Sequence, residues 1–525
     1  MALPESVEEL TIERVHEGYR SGAFTVRELV QAYLDRIVSI DQSGPTLNSI
    51  ITVSDTALDD ADELDKAFAG EGRLIGSLHG VPILVKDQIE TAGMRTTFGS
   101  IAAGEYVPTA DATVIARLRD AGAIILGKTT MPDLATSRFS TSSRSGPTGV
   151  TKNPYDLSRD PGGSSSGTGA AVAANLSLVG MGEDTGGSIR VPSSWCGLVG
   201  LKVTPALISR TGMSSLVVSQ DSAGPMTRTV TDAALLLDVL AGYDPADPYT
   251  AISAIVRQEG SYATGLGEAT LQGKRVGVLR EEFPRADDPE EEPVGEVLRV
   301  ALRQLVEAGA ELVDVAIPDL AQSLDLTRLL FSQSRRDMNE FYGARPDLPI
   351  GSLDKVFSEG QYHEKLELLE LIAGGPETPR GDPEYLSRIL EHGRFQRQVL
   401  AIFAEHRLDV IAFPDTRLPA PTLEDVFASR WTDFNYPTNT LIASQLHFPA
   451  ISVPAGFTRS GLPVGLELMA VPYDEARLLN IARGVEKATD ARRPPRPWVE
   501  TASTIPSRPE YDHSPDPSAK LHEER

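Results

Sequence analysis

The sequence contains little sulfur and no long apolar run, and each absence excludes a class of protein. Its single cysteine, Cys196, cannot form a disulfide within the 525 residues, which fits a reducing compartment. No stretch approaches the run of about 18 apolar residues that a membrane-spanning helix needs. The N-terminus is acidic and lacks the basic and then apolar order of a secretory signal. We therefore expect a cytoplasmic protein without a membrane anchor.

Basic residues are also few relative to acidic ones. Lysine and arginine total 49 against 74 aspartate and glutamate residues, so the formal net charge is −25. Nucleic acids and anionic membranes bind clustered lysine and arginine, and both are therefore disfavoured as partners. The negative charge is expected to serve solubility.

Short buried strands alternate with amphipathic helices along most of the chain. The run Leu78–Asp87 predicts a strand ending in a lysine and an aspartate, and Ala123–Gly127 predicts a second strand after a helix. The pattern recurs in later predicted strands at Val276–Leu279, Leu312–Ile317, Val410–Phe413, Ala450–Pro454 and Gly465–Met469. This order is typical of an α/β protein whose mostly parallel sheet is covered by helices.

Three other segments have a distinct composition. Residues 5–40 predict two helices, with Thr25 as the N-cap of the second. Residues 320–405 are charged and largely helical in pattern, and we expect an insertion there that shapes a pocket. The Pro-rich, polar residues 492–525 predict an extended or disordered tail.

Glycine and serine are concentrated between residues 162 and 190. Two Gly-Gly-Ser turns, in 162–167 and 184–190, flank an Ala-rich segment that predicts a buried helix over Thr168–Gly180. Glycine is used where the backbone bends sharply or approaches something closely, and packing alone does not explain two such turns. We therefore interpret the two turns as one site.

These serines do not fit two common motifs. A Ser-His-Asp triad is poorly supported, because the Gly-x-Ser-x-Gly elbow is missing around Ser188 and the eight histidines are scattered. A phosphate-binding loop would need a lysine after Gly167, where Thr168 stands.

A lysine is the alternative base for a serine nucleophile. Lys86 follows the apolar run Val81–Val85, and burial there would lower its pKa from about 10.4 toward neutrality. Two other interpretations remain open at this point. Lys86 could end a strand at the surface, or it could pair with Asp87.

Three long stretches carry a family resemblance: Pro161–Ala173, Asp184–Pro192 and Cys196–Lys202. Together with Gly80-Val81-Pro82 and Gly224–Arg228, they resemble the amidase signature family, densely over about 75–240 and more loosely over 5–60 and 405–490. The resemblance implies an α/β/α sandwich with a large mixed, mostly parallel sheet, and one catalytic domain over residues 1–491. It also implies amide hydrolysis without a metal or cofactor.

The resemblance further implies a Ser-cisSer-Lys triad. Ser188 would form the acyl-enzyme, Ser164 would follow a cis peptide bond after Gly163, and Lys86 would be the base. The separation of 24 residues between Ser164 and Ser188 selects Ser164 among the three loop serines. The backbone N–H groups of Thr185, Gly186, Gly187 and Ser188 would stabilise the oxyanion. Two charged residues, Asp184 and Arg190, would hold the turn in place.

The sequence departs from the family pattern at two places. Glu183 stands where a small or hydroxylated residue is common, and Ser444 and His447 replace an asparagine and a glycine before a late strand. We expect neither departure to touch the triad. Cys196, beside the signature, is expected to be a small buried core residue.

The preferred function is therefore hydrolysis of a linear carboxamide, anilide or related acyl C–N bond, such as a carbamate, by a monomer or homodimer. Its alternative is the glutaminase (A) subunit of an aminoacyl-tRNA amidotransferase, which works in a complex; a non-catalytic scaffold is a third hypothesis. The insertion and the altered 444–450 segment favour the free-standing enzyme. Three apolar and aromatic segments are expected to line a pocket for a hydrophobic or aryl substrate: Ser137–Gly146, Leu326–Tyr342 and Trp431–Tyr436.

Overall fold

The structure, a computed structural model, describes residues 7–144, 149–256 and 260–495. Most of the predicted tail and the last residues of the predicted Ser137–Gly146 loop lie outside these ranges. Within the ranges, no helix is both long and apolar enough to cross a membrane.

The described residues form one sheet of eleven strands. The strands are β1 (Ile50–Val53), β2 (Pro82–Lys86), β3 (Ile124–Thr129), β4 (Val179–Asp184), β5 (Val199–Lys202), β6 (Ser222–Thr227), β7 (Arg275–Leu279), β8 (Glu311–Val315), β9 (Val410–Pro414), β10 (Ala450–Phe457) and β11 (Pro463–Met469). Their order across the sheet is β1-β3-β2-β4-β6-β5-β10-β11-β9-β7-β8.

The sheet is mixed, as predicted, but the expectation that it is mostly parallel is wrong. Six of the ten neighbouring pairs are antiparallel, and only β2–β3, β2–β4, β7–β8 and β7–β9 are parallel. The loop between β5 and β6 and the hairpin between β10 and β11 reverse the chain without a crossover helix. In addition, β6 inserts between β4 and β5, so those two strands are not neighbours.

Helices cover the sheet. They are α1 (Ile12–Ser21), α2 (Val26–Arg36), α3 (Ala57–Glu71), α4 (Thr113–Asp120), α5 (Ser166–Ala173), α6 (Arg190–Trp195), α7 (Val230–Leu240), α8 (Glu292–Glu307), α9 (Leu320–Leu326), α10 (Leu330–Gly343), α11 (Leu353–Ser358), α12 (Glu367–Ala373), α13 (Tyr385–His406), α14 (Leu423–Phe427), α15 (Leu441–Leu446) and α16 (Glu475–Thr489). Helices α5 and α6 pack against the central strands as one group, and α7, α8 and α16 pack as another.

Local sequence explains where several of these helices begin and what they bury. The two helices predicted over residues 5–40 are α1 and α2, and α2 begins at a capping box between Thr25 and Glu28. Residues 320–405 are largely helical, as predicted, and contain α9 to α13. Side chains of α10, α11 and α12 form an apolar cluster with Phe98 and Met131, beside the central core.

The helix predicted over Thr168–Gly180 is shorter in the structure. Helix α5 ends at Ala173, Asn175 adopts a left-handed conformation (φ 57°), and Val179 already begins β4. Small apolar residues suit a helix and a buried strand alike, so the pattern alone did not locate this boundary. Gly180 is needed in the strand, because a Cβ there would lie 2.5 Å from Cγ2 of Thr168 on α5.

Candidate active site

Lys86 is the last residue of β2, where the strand's apolar run carries it into the protein. Its side chain is 0% exposed. Its Nζ lies within hydrogen-bond distance of Oγ of Ser164, at 2.8 Å, and of the carbonyl oxygen of Glu183, at 3.1 Å. Neither alternative interpretation of Lys86 holds, because the residue is not at the surface and Asp87 instead accepts hydrogen bonds from Thr97 and faces another lysine.

Ser164 lies in the loop before α5, after a cis peptide bond that joins it to Gly163. The backbone of residues 137–139 passes within about 3.0 Å of where a Cβ on Gly163 would be, so a larger residue would require this backbone to shift. The next residue, Ser165, donates its backbone N–H to the carbonyl oxygen of Ser188 at 3.1 Å. The two Gly-Gly-Ser turns are therefore in contact, as the sequence predicts.

Ser188 lies in the turn between β4 and α6 and is half-buried. Oδ1 and Oδ2 of Asp184 accept the N–H groups of Gly187 and Ile189 at 2.8 and 3.0 Å, so one carboxylate fixes both sides of the serine. The hydroxyl of Thr440 also donates to the carbonyl oxygen of Gly186 at 2.7 Å. The turn is thus held from two directions.

Asp184 and Arg190 form a buried ion pair behind this turn. The Arg190 guanidinium donates to both Asp184 oxygens, at 2.9 and 3.1 Å, and also bonds to Glu467 and Ser444. Burial alone raises the pKa of Asp184, but the charge of Arg190 outweighs it and the pKa falls to about 2. Ser444, part of the second departure from the family pattern, therefore contacts Arg190.

Glu183 contacts Lys86, so the expectation that this departure touches no residue of the predicted triad is wrong. Its carboxylate oxygen Oε2 lies 3.1 Å from Nζ of Lys86, and both side chains are buried. Burial lowers the pKa of Lys86, and the Glu183 carboxylate partly offsets that shift. Burial likewise raises the pKa of Glu183, against the opposing effect of Lys86.

The contacts of Glu183 extend to a second buried carboxyl group. The hydroxyl of Thr185 lies 3.1 Å from Oε1 of Glu183 and 2.6 Å from Oδ1 of Asp221. Burial and the neighbouring Glu183 raise the pKa of Asp221 well above its usual range. Sequence reasoning missed Asp221, whose position follows from the antiparallel register that places Asp184 opposite Ser222.

A cavity of about 430 Å³ opens over Ser188, and Gly163 and residues 185–187 line it as well. The three segments predicted to line a pocket each contribute residues to it. However, Leu326–Tyr342 is not one helix, and the lining residues 328–331 lie at the break between α9 and α10 and in the first turn of α10. The contributing residues are Ser137 and Arg138, Arg328 to Phe331, and Asp433 to Tyr436.

Other candidate groups lie apart from this cavity. Cys196 is fully buried and packs with Val172 and Leu198, as expected for a core residue. His447 is half-buried with its ring against His392, 5.2 Å between centroids. Across the ranges that the structure describes, no three His, Cys, Asp or Glu side chains are placed to hold a metal ion.

Several known proteins are similar to the chain over most of its length. The amidase family profile matches residues 28–479. The A subunit of glutamyl-tRNA(Gln) amidotransferase from Alkaliphilus metalliredigens is 33% identical over 491 residues, 92% of this chain and 96% of that protein. The peptide amidase structure from Stenotrophomonas maltophilia has a TM-score of 0.81 and 34% identity, covering 94% of this chain and 99% of that one. The structure of the corresponding amidotransferase subunit from Thermotoga maritima has a TM-score of 0.70 and 27% identity, over 93% and 96% of the two chains. The match over most of the sequence confirms the resemblance: the chain belongs to the amidase signature family.

Proposed function

We propose that the chain hydrolyses a linear amide through an acyl-enzyme on Ser188, with Lys86 as the base and Ser164 as the hydroxyl between them. The observation that carries the proposal is the 2.8 Å hydrogen bond between Lys86 and Ser164. A lysine that is fully buried beside a serine hydroxyl is disfavoured as a cation, and a neutral amine can accept a proton.

The proposed reaction moves one proton along this row of residues. Neutral Lys86 takes the proton of Ser164, which takes the proton of Ser188 as Oγ of Ser188 attacks the amide carbonyl carbon. The proton then returns through Ser164 to the leaving nitrogen as the C–N bond breaks. Water cleaves the resulting ester in the same way and regenerates Ser188.

The turn that carries Ser188 would stabilise the oxyanion. Of the four backbone N–H groups expected to do so, that of Gly187 already donates to Asp184. The N–H groups of Thr185, Gly186 and Ser188 are therefore the proposed oxyanion donors. Asp184 and Arg190 are proposed to hold the turn without touching the substrate.

Two settings fit this chemistry. The named relatives support the glutaminase subunit of an amidotransferase, stated above as the alternative, more strongly than the preferred free-standing enzyme. Sequences named as the A subunit of glutamyl-tRNA(Gln) amidotransferase reach 36% identity over nine-tenths of this chain. This setting would require partner subunits.

The solved structures support the second setting, a free-standing amidase. The chain is more similar to the peptide amidase than to the amidotransferase subunit structure, both in TM-score and in identity. The cavity also presents aromatic side chains, Phe331, Phe434 and Tyr436, which suit a substrate with an apolar or aryl group.

One assay series separates the settings and tests the chemistry. The purified chain and its Ser188→Ala variant are incubated with glutamine, simple primary amides, peptide amides, anilides and carbamates, and the released amine or ammonia is measured. Turnover that disappears in Ser188→Ala supports the proposal, and turnover that survives contradicts it. Glutamine hydrolysis with a copurifying subunit favours the amidotransferase, whereas turnover of other amides by the chain alone favours the free-standing enzyme.

A further inference from the structure

We propose that Glu183 is a positioning residue for the general base. Its backbone carbonyl oxygen and its carboxylate oxygen Oε2 orient the amine of Lys86 toward Ser164, and its carboxylate stabilises the ammonium that forms during acyl transfer. The inference deepens the proposed function and rests on it. It starts from the contact between Glu183 and Lys86, at a position where the family commonly has a small or hydroxylated residue.

The first step is the set of partners around Nζ of Lys86. They are Oγ of Ser164 at 2.8 Å and the carbonyl oxygen and Oε2 of Glu183, both at 3.1 Å. A neutral amine has two N–H donors and one lone pair. The carbonyl oxygen and Oε2 of an ionised Glu183 are acceptors and not donors, so they take the two N–H groups of Nζ. The lone pair of Nζ is then left for the hydroxyl of Ser164. Glu183 therefore directs the lone pair of Lys86 toward Ser164, the residue that must give up a proton.

The hydroxyl of Thr185 lies between the carboxyl groups of Glu183 and Asp221. This hydroxyl has a single hydrogen, yet it lies within hydrogen-bond distance of Glu183 (3.1 Å) and of Asp221 (2.6 Å). It can donate to one carboxyl group only, so the other must be protonated and donate to it. Asp221 is the better site for that proton, because Nζ of Lys86 lies 3.1 Å from Oε2 of Glu183 and favours the ionised form of that carboxylate. Burial and the Glu183 charge also raise the pKa of Asp221. Glu183 is then ionised beside Lys86.

The third step considers the other charges near the pair. Asp184 precedes the turn and is neutralised by Arg190. Asp337, on α10, faces Asp221 and pairs with Arg336. The cation in contact with Glu183 is Lys86. The charge of Glu183 therefore acts directly on the base.

Loss of the Glu183 charge should shift the pH dependence of the rate in one direction. The base works only when Lys86 is neutral, so the rate falls as the pH drops through the pKa of Lys86. An adjacent carboxylate stabilises the ammonium and raises that pKa. Removing the Glu183 charge lowers the pKa of Lys86. The acid limb of the pH–rate profile, where the rate falls as the pH drops, then moves to lower pH, and the base is weaker at high pH.

The experiment measures the rate at which a fluorophosphonate probe labels Ser188, from pH 4 to pH 10. In this step an O–P bond forms, the P–F bond breaks and fluoride leaves, while the proton of Ser188 passes through Ser164 to Lys86. The variants are Glu183→Gln and Glu183→Thr, the second restoring a hydroxylated residue of the family pattern. Glu475→Gln is the matched control, because Glu475 is as buried as Glu183, each being 1% exposed, and bonds to Thr204 instead.

We expect the acid limb of both Glu183 variants to lie about 1 to 3 pH units below that of the wild type, with a lower plateau. The Glu475→Gln limb should coincide with the wild type. A limb that stays in place or moves upward in either folded Glu183 variant overturns the inference, because a purely structural role would lower the plateau alone. A wild-type protein that is not labelled at Ser188 overturns the proposed function instead, so the two failures are distinguishable.

Discussion

At the residue scale, the site depends on a lysine that the fold has removed from water. Lys86 is buried because it ends a strand whose other residues are all apolar. The sequence offered this burial as one of three interpretations of Lys86. The glycine-rich turns indicated a site, and the family resemblance then singled out Ser164 and Ser188 within them. The role of Glu183 did not follow, because Lys86 and Glu183 meet across the β2–β4 register, which one sequence does not contain.

The loop serines give a direct residue-scale prediction. Lys86→Ala and Ser164→Ala should lower turnover by about 10²–10⁴-fold, because each removes a step of the proton transfer. Ser165→Ala should keep turnover near the wild-type rate, because Oγ of Ser165 contacts the backbone of Glu183 and not Lys86. Initial rates on the best substrate from the amide series measure both effects. Equal losses in Ser164→Ala and Ser165→Ala would mean that the wrong serine is assigned.

At the scale of the element, the backbone conformation of the turn between β4 and α6 determines the position of Ser188. The pair of glycines indicated such a turn in the sequence. The elements around it were harder to predict, because the α5 segment is uniformly small and apolar and its end at Ala173 depends on Asn175. The break between α9 and α10 was missed for a related reason, since both sides of the break have helical patterns.

The two glycines of the turn should respond differently to alanine. Gly187 has φ 128°, and its Cβ would lie 2.1 Å from Oγ1 of Thr440, so Gly187→Ala should distort the turn. The distortion would displace the neighbouring N–H groups of Gly186 and Ser188, so a loss of about 10²–10³-fold in turnover is expected, the size typical of a lost oxyanion donor. Gly186→Ala is the comparison variant and should lose less turnover, because it keeps its backbone N–H and its Cβ would meet only Cδ2 of Leu441, at 3.1 Å. Equal losses would contradict this explanation of the turn.

At the scale of the whole molecule, the sequence predicted a large mixed sheet with helices but not its strand directions. Alternating strands and helices indicate crossovers, whereas the direction of neighbouring strands depends on which strands the fold brings together. β6, inserted between β4 and β5, illustrates the difference. Sequence patterns likewise did not reveal that residues near the two ends of the described chain meet.

The contact near the chain ends is centred on Arg492. Its guanidinium pairs with Glu9 at 2.7 Å and bonds to the carbonyl oxygens of Ala173, at the end of α5, and Gly197. Arg492→Ala should therefore lower the free energy of unfolding by about 1.5–3 kcal/mol, measured by urea denaturation. Arg459→Ala should change it by less than about 0.5 kcal/mol, because that side chain is 87% exposed. Similar losses in both variants would show that Arg492 does not join these segments.

The central claim is that Ser188 forms the covalent intermediate, and peptide mapping by mass spectrometry after fluorophosphonate treatment tests it most directly. The account predicts a single phosphonyl adduct on the peptide that contains Ser188, with fragment ions that place it on that residue. It also predicts no adduct at that position in Ser188→Ala and slow labelling in Lys86→Ala. An adduct on another serine, or labelling that persists unchanged in Ser188→Ala, would contradict the account.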